Sequence, residues 1–235
     1  MFSANIFTLY PEIFPGALGH GIYQRASEKK IWELNVKNIR DYAYDKHATV
    51  DDKPFGGGSG MVLKADVLNE CLEKNSNDYK TYYLSPRGKV FNQELANEFS
   101  KLKGINLLCG HFEGVDQRVL DHRNIDEISV GDYVLSGGES AAVVVLDAVI
   151  RLLPGVLGNE NSTKEESFNN HLLEYPQYTQ PRKWRDLEVP EVLLSGNHGE
   201  IKDWRLNQSQ SITQRLRPDL WTKYCNNSKK NYENE

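Results

Sequence analysis

The stretch Ala141 to Val149, AAVVVLDAV, is apolar around almost its whole circumference, and this constrains the fold more than any other feature of the chain. A helix with so little polar surface has to be buried, so other elements must cover it. The residues before it sharpen the constraint. Gly137 and Gly138 follow Ser136 in a turn that carries no Cβ at two positions, so a ligand can lie directly on the backbone there. Pro154 stops the helix, and Arg151 supplies a cation near its end.

The rest of the chain supplies layers that could bury such a helix. Short β-type runs alternate with helix-type runs through the first two thirds, the pattern of an α/β fold with a mainly parallel sheet. Strands are predicted over Asn5 to Leu9, Trp32 to Asn38, Thr81 to Leu84, Asn106 to Cys109 and Glu127 to Val130. Helices are predicted over Gly16 to Lys29, Lys64 to Lys74, Asn92 to Leu102, Val115 to Leu120 and Glu139 to Leu152. Residues 1–154 thus read as one domain. Residues 155–180 have little periodicity and read as a linker. From Pro181 to Glu235 helical spacing returns, with Ile201, Trp204, Ile212 and Leu216 as the apolar positions of a small second domain whose tail, NNSKKNYENE, is expected to fray.

Composition narrows the class. With 39% hydrophobic and 26% charged residues, the 235-residue chain has the make-up of a soluble globular protein. No apolar run approaches the roughly 18 to 20 residues that span a bilayer, and the opening MFSANIFTLYPEIF lacks a basic start or a cleavage site, so a cytosolic protein without a membrane partner is expected. The three cysteines, Cys71, Cys109 and Cys225, are far apart and form no C-x-x-C pair; neither a disulfide framework nor a protein metal site is expected. The net charge of −5 argues against a nucleic-acid partner until its distribution is considered. Residues 181–235 hold ten Lys and Arg against eight Asp and Glu, so this end is near +2 and, the whole being −5, the remainder is near −7. That asymmetry is compatible with RNA binding and equally with a solvated helical face.

Several familiar sites are excluded by spacing: there is no G-x-G-x-x-G, no Walker loop and no G-x-S-x-G elbow. Three glycine-bearing loops remain, LSPRG at 84–88, CGHFEG at 109–114 and SVGDYVLSGG at 129–138, each after a predicted strand. Ligands bind beyond the carboxyl ends of strands in open α/β sheets, so the three loops can share one pocket. They offer backbone groups, apolar Leu84, Val130 and Leu135, aromatic Tyr133 and the carboxylate of Glu113. Such a set suits an adenine ring and a cationic amino-acid tail better than a triphosphate; structural turns are the alternative.

These motifs, together with VDDKPFGGGSGM, RLLPGVLG, ESF and SGNHGEIKDWR in the same order, resemble the bacterial tRNA (guanine-N1)-methyltransferases of the knotted SPOUT superfamily, from the first strand to about Leu220. The resemblance implies a SPOUT-type sheet with a deep trefoil knot, an exception to the rule that chains do not thread loops. It implies S-adenosyl-L-methionine bound, bent, on Leu84, Ser85, Pro86, Gly110, Glu113, Ser129, Val130, Gly131, Asp132, Tyr133, Val134, Leu135, Gly137 and Gly138. It implies methyl transfer to N1 of guanine 37 of a tRNA with guanine at position 36, a modification that prevents frameshifting. The family is a homodimer with its active site at the subunit interface, and it is often assisted by Mg2+.

Guanine N1 carries a proton at neutral pH, so the transfer needs a base, and charge that develops at O6 needs a partner. By resemblance these are Glu166, where the family has aspartate, and Arg151. Glu165 competes for the first role, and a cation offsetting a helix dipole is the alternative for the second. Contacts to RNA are implied for Asp51, Gly58, Ser167, Lys183, Arg185, Lys202, Arg205 and Arg215, with Arg217 beside them. His111 replaces a family arginine and reads either as an RNA contact or as a surface histidine; Ser59, Gln177 and Gln180 are further departures. The change at Glu166 leaves open an RNA-binding module without catalysis, and a SPOUT enzyme acting on another nucleotide is the other alternative.

Overall fold

Seven residues of the first strand, FSANIFT, are buried without interruption, which happens when a strand is covered on both faces. The computed structural model describes residues 1–158 and 166–232. Its strands are β1 (Phe2–Thr8), β2 (Trp32–Asn38), β3 (Asp51–Asp52), β4 (Val62–Leu63), β5 (Thr81–Val90), β6 (Gly104–Cys109), β7 (Asp126–Ser129), β8 (Lys183–Trp184) and β9 (Leu187–Glu188). Its α-helices are α1 (Gly21–Glu28), α2 (Ala65–Lys74), α3 (Gln93–Ser100), α4 (Gln117–Arg123), α5 (Glu139–Ile150), α6 (His198–Leu216) and α7 (Pro218–Tyr232). The chain divides into two compact units, Met1–Gly158 and Asn159–Glu235.

The first unit is an α/β layer structure around a five-stranded sheet, ordered β2-β1-β6-β5-β7, in which every neighbouring pair is parallel. Alternation along β1 builds the two sides of the core. Ala4 and Ile6 join a cluster with Leu95, Ala96 and Phe99 of α3 and with Ala142, Val145, Leu146 and Val149 of α5. Phe7 joins the opposite cluster with Val67, Leu68 and Cys71 of α2 and Val119 and Leu120 of α4. Nearer the amino end that second face turns polar. Asn35, Asn5, Asn106 and Thr81 are register partners on four adjacent strands. The Asn5 amide donates to Asn106 Oδ1 at 2.9 Å, Asn35 donates to Asn5 Oδ1 at 3.1 Å, and Asn106 donates to Thr81 Oγ1 at 3.2 Å.

Three expectations need correction. The helix predicted over Gly16 to Lys29 is a 3-10 turn over Gly16–Gly19 followed by α1, because Gly16 and Gly21 take left-handed φ values of 52° and 62° that break a continuous helix. The third strand does not stop at Leu84: β5 runs on to Val90, pairing with Ile128 of β7 once at Leu84 and again at Lys89 with the residues between looped out. In α6 the apolar positions Ile201, Trp204 and Ile212 are half-buried and Leu216 is exposed, whereas the buried residues are Ser209 and Thr213. Thr213 explains this: its hydroxyl donates to the Ser209 carbonyl at 2.6 Å and accepts the Leu173 N–H at 2.8 Å, so small polar side chains let another stretch of the second unit lie against the helix.

Candidate active site

The looped-out segment within β5 and the loops after β6 and β7 line one cavity of about 470 Å3. Each wall is braced from behind. The 110–114 loop is pinned to the segment around β4 by Glu113 N–H to Met61 O (2.9 Å) and Leu63 N–H to Gly114 O (3.0 Å). The turn before α5 is tied to it by Gly138 N–H to Gly110 O, 3.0 Å. Tyr133 folds back so that its hydroxyl donates to Val130 O at 3.0 Å. Arg87, the cation on the β5 loop, is held by Glu127 at 3.2 and 2.9 Å and by Gln117 at 3.1 Å.

Of the residues implied for the cofactor, all but Asp132 line this cavity. Tyr83, Phe112 and Ser136, which the sequence did not single out, also line it, and so does His111, read from the sequence as an RNA contact or a surface histidine; Phe112 and Ser136 sit in the glycine-bearing loops, which was the available signal. The reason for the glycines themselves is revised. A Cβ on Gly138 would stand 2.6 Å from Cys109 Cα, and one on Gly110 would stand 2.7 Å from the Tyr83 ring and hydroxyl. These glycines are required by chain against chain, so they would be needed with no ligand at all. Thiol chemistry has no place here: burial, and then the charge of Glu139, raise the Cys109 thiol well above its ordinary value, and burial pushes Cys71 up to about 12.

Arg151 does not line the cavity; it follows the last residue of α5. One turn earlier Asp147 accepts a 2.5 Å hydrogen bond from the Tyr23 hydroxyl of α1, and the Trp32 indole fixes Tyr23 through its carbonyl at 2.8 Å. Burial first, then this bond and the Asp147 charge, push the Tyr23 phenol up to about 12, with Arg151 pulling the other way. The neutral phenol is therefore the form that folding favours. Its contribution is complete below the unfolded value of about 10 and fades as pH rises through about 12. Tyr23→Phe should lower stability by about 1 kcal/mol at pH 8. Denaturant midpoints of the two proteins should converge as pH is raised above 10; a gap that stays constant would detach the bond from the titration.

Other residues implied by the resemblance lie elsewhere. Asp51 is half-buried on β3, and Gly58, at φ 124°, has nothing within 4 Å of its would-be Cβ. In the second unit, the Glu166 carbonyl accepts the Asn169 N–H at 3.3 Å and the Ser167 hydroxyl accepts the Glu174 N–H at 3.0 Å. Glu165 lies outside the described residues. Lys183 pairs with Glu188 at 3.6 Å, Arg185 stacks on Trp184 at 4.6 Å and Arg205 on Tyr175 at 4.8 Å, while Lys202 and Arg215 are exposed. No helix among the described residues is long and apolar enough to cross a membrane.

The family described as tRNA (Guanine-1)-methyltransferase TrmD matches residues 2–223, nearly the whole chain. The chain belongs to this methyltransferase family. A tRNA (guanine-N(1)-)-methyltransferase of Pelagibacter ubique is 62% identical over 228 residues, covering 97% of this chain and 100% of the relative. Relatives of the same name from Bartonella bacilliformis and Rhodospirillum rubrum are each 54% identical, covering 97% and 94% of this chain and 99% and 93% of their own lengths. For a tRNA guanine-N1 methyltransferase, the cavity among the three loops is the place to look for a methyl-donor site. The carboxylate in its lining is Glu113, and the guanidinium there, Arg87, is already paired with Glu127.

Proposed function

We propose that this methyltransferase transfers the methyl group of S-adenosyl-L-methionine to N1 of guanine 37 in tRNAs with guanine at position 36, and that it works in the cytoplasm. The observation that carries the reading is the single cavity in which three strand-end loops present apolar walls, backbone groups and the Glu113 carboxylate. Leu84, Val130 and Leu135 suit an adenine ring, and Glu113 suits the cationic amino-acid tail. The bound cofactor supplies an electrophilic methyl on a sulfonium. With the cofactor bound, Glu166 would accept the proton that guanine N1 must lose. Arg151 offsets the negative charge on O6. Mg2+ assistance is implied by the family resemblance; the described residues gather no cluster of three or more His, Cys, Asp or Glu that could hold an ion.

The same reading includes a deep trefoil knot, a homodimer and a helical tRNA-binding second domain. Dimerisation is supported by α5, whose Val144 is 49% exposed although its neighbours Val145 and Leu146 are buried, and by Val134, 89% exposed on the cavity loop. Two copies would cover these surfaces and form two composite sites, the cofactor held by one and the base supplied by the other. Cationic and aromatic groups at Lys183, Trp184, Arg185 and Lys202 support the RNA contact. Nucleoside mass spectrometry should find N1-methylguanine in an anticodon stem-loop with guanines at 36 and 37, and adenine at 36 should lower the rate at least about tenfold. Equal rates would assign another specificity.

A further inference from the structure

The two longest walls of the cavity, the 110–114 and 130–138 loops, meet where Glu139 begins α5. Glu139 is 3% exposed, a rare environment for this residue type. Both carboxylate oxygens are engaged: Oε1 accepts the Thr8 hydroxyl, and Oε2 lies 2.7 Å from His111 Nε2. The Thr8 hydroxyl also accepts the Tyr10 N–H at 2.9 Å, and the Tyr10 ring packs edge-on against His111 with centroids 4.7 Å apart. Glu139 is the first residue of the twelve-residue α5, so its contact to His111 ties the start of that helix to the 110–114 loop. A Cβ on Gly137 would run into the His111 ring and stand 2.6 Å from Glu139 Oε2, so the turn is fitted closely around the pair. One residue on, Gly138 N–H reaches Gly110 O and joins the two walls directly.

We propose that His111 and Glu139 are positioning residues: their contact holds the two loops at the spacing that S-adenosylmethionine requires. A buried carboxylate with two partners could serve stability alone, but His111 is itself part of the cavity lining and its partner starts the helix that carries the other wall. The inference rests on the reading of this cavity as the cofactor site, and two measurements separate their failures. The first is hydrogen exchange at the Gly138 amide without ligand; the second is calorimetric titration with S-adenosylhomocysteine.

His111→Phe keeps the bulk beside Tyr10 and removes the N–H, whereas His111→Gln places an amide N–H near the position of Nε2. His111→Phe should speed Gly138 exchange and weaken the ligand, each about tenfold or more, with the circular dichroism of the parent retained. His111→Gln should stay within about threefold of the parent, and Glu139→Gln should add little to His111→Phe, because partners in one contact are not additive. Unchanged Gly138 exchange in His111→Phe, no rescue by glutamine, or fully additive losses would each overturn the positioning role. A parent protein that does not bind S-adenosylhomocysteine would overturn the cofactor reading instead.

Discussion

Glu166→Gln should bind S-adenosylhomocysteine and tRNA much as the parent does, yet lose about 10²- to 10⁴-fold in single-turnover methylation. The substitution keeps shape and hydrogen-bonding capacity and removes only the ability to accept the N1 proton. On the proposed reading Glu166 takes the place of the family's aspartate with one methylene more, so the backbone has to place it. Here it enters an ordered turn: the Glu166 carbonyl accepts from Asn169, Phe168 takes a left-handed φ of 77°, and its N–H donates to Leu172 O at 2.7 Å. Glu165→Gln serves as the comparison. A larger loss for Glu165 than for Glu166 would move the role one residue back, and two mild phenotypes would remove both from the chemistry.

Gly138→Ala should destabilise the protein by about 1–3 kcal/mol, the range for forcing a methyl into a packed interior, and should abolish measurable cofactor binding as well. Backbone crowds the site: Cys109 Cα would lie 2.6 Å and Gly110 N 3.1 Å from the new atom. No rotamer change relieves backbone contacts of this kind. α5 would have to retreat from β6 and the Gly138 to Gly110 hydrogen bond would open. Gly158→Ala is the control, since nothing lies within 4 Å of its Cβ position and its midpoint should barely move. Equal denaturation midpoints for both variants would show that the turn can relax, and the fit described at Gly138 would be wrong.

Where local pattern and tertiary demand agreed, the fold was readable. Trp32–Asn38 alternates and pairs as one strand, and α5 is apolar because it packs on the sheet, so both were legible from side-chain type alone. The second half of β5 was not, because PRGK carries no strand pattern and pairs only through the looped return to Ile128. The buried seam of α6 escaped for a different reason: Ser209 and Thr213 are polar, and their hydroxyl chemistry becomes visible only when the partner at Leu173 is known. At the cavity, glycines marked the right loops for an incomplete reason. Absence of a side chain is equally a sign of ligand and of crowding, and a single sequence does not separate the two. Glu139 was hidden likewise, since a carboxylate at a helix start reads as an ordinary cap until Thr8, 131 residues away, is found against it.

The row of Asn35, Asn5, Asn106 and Thr81 bears on how the sheet is assembled. β1 must slot between β2 and β6, and its contact with β6 joins residues 101 apart in sequence. Long-range parallel pairing of this kind is slow and open to slippage. A slip of β1 by one position would swap Asn5 for Ala4 or Ile6 in the row and turn the Asn5 amide onto the apolar face, unpaired at a cost of about 1–3 kcal/mol, while Asn106 would keep Asn77 and the Tyr79 carbonyl. Alanine or valine in all four positions would give a sheet as apolar as its neighbours and several registers of similar energy. The amides thus work as a checksum on strand insertion: they add little to the finished structure that aliphatic residues could not supply, and they make the wrong alignments recognisably wrong while the chain can still withdraw.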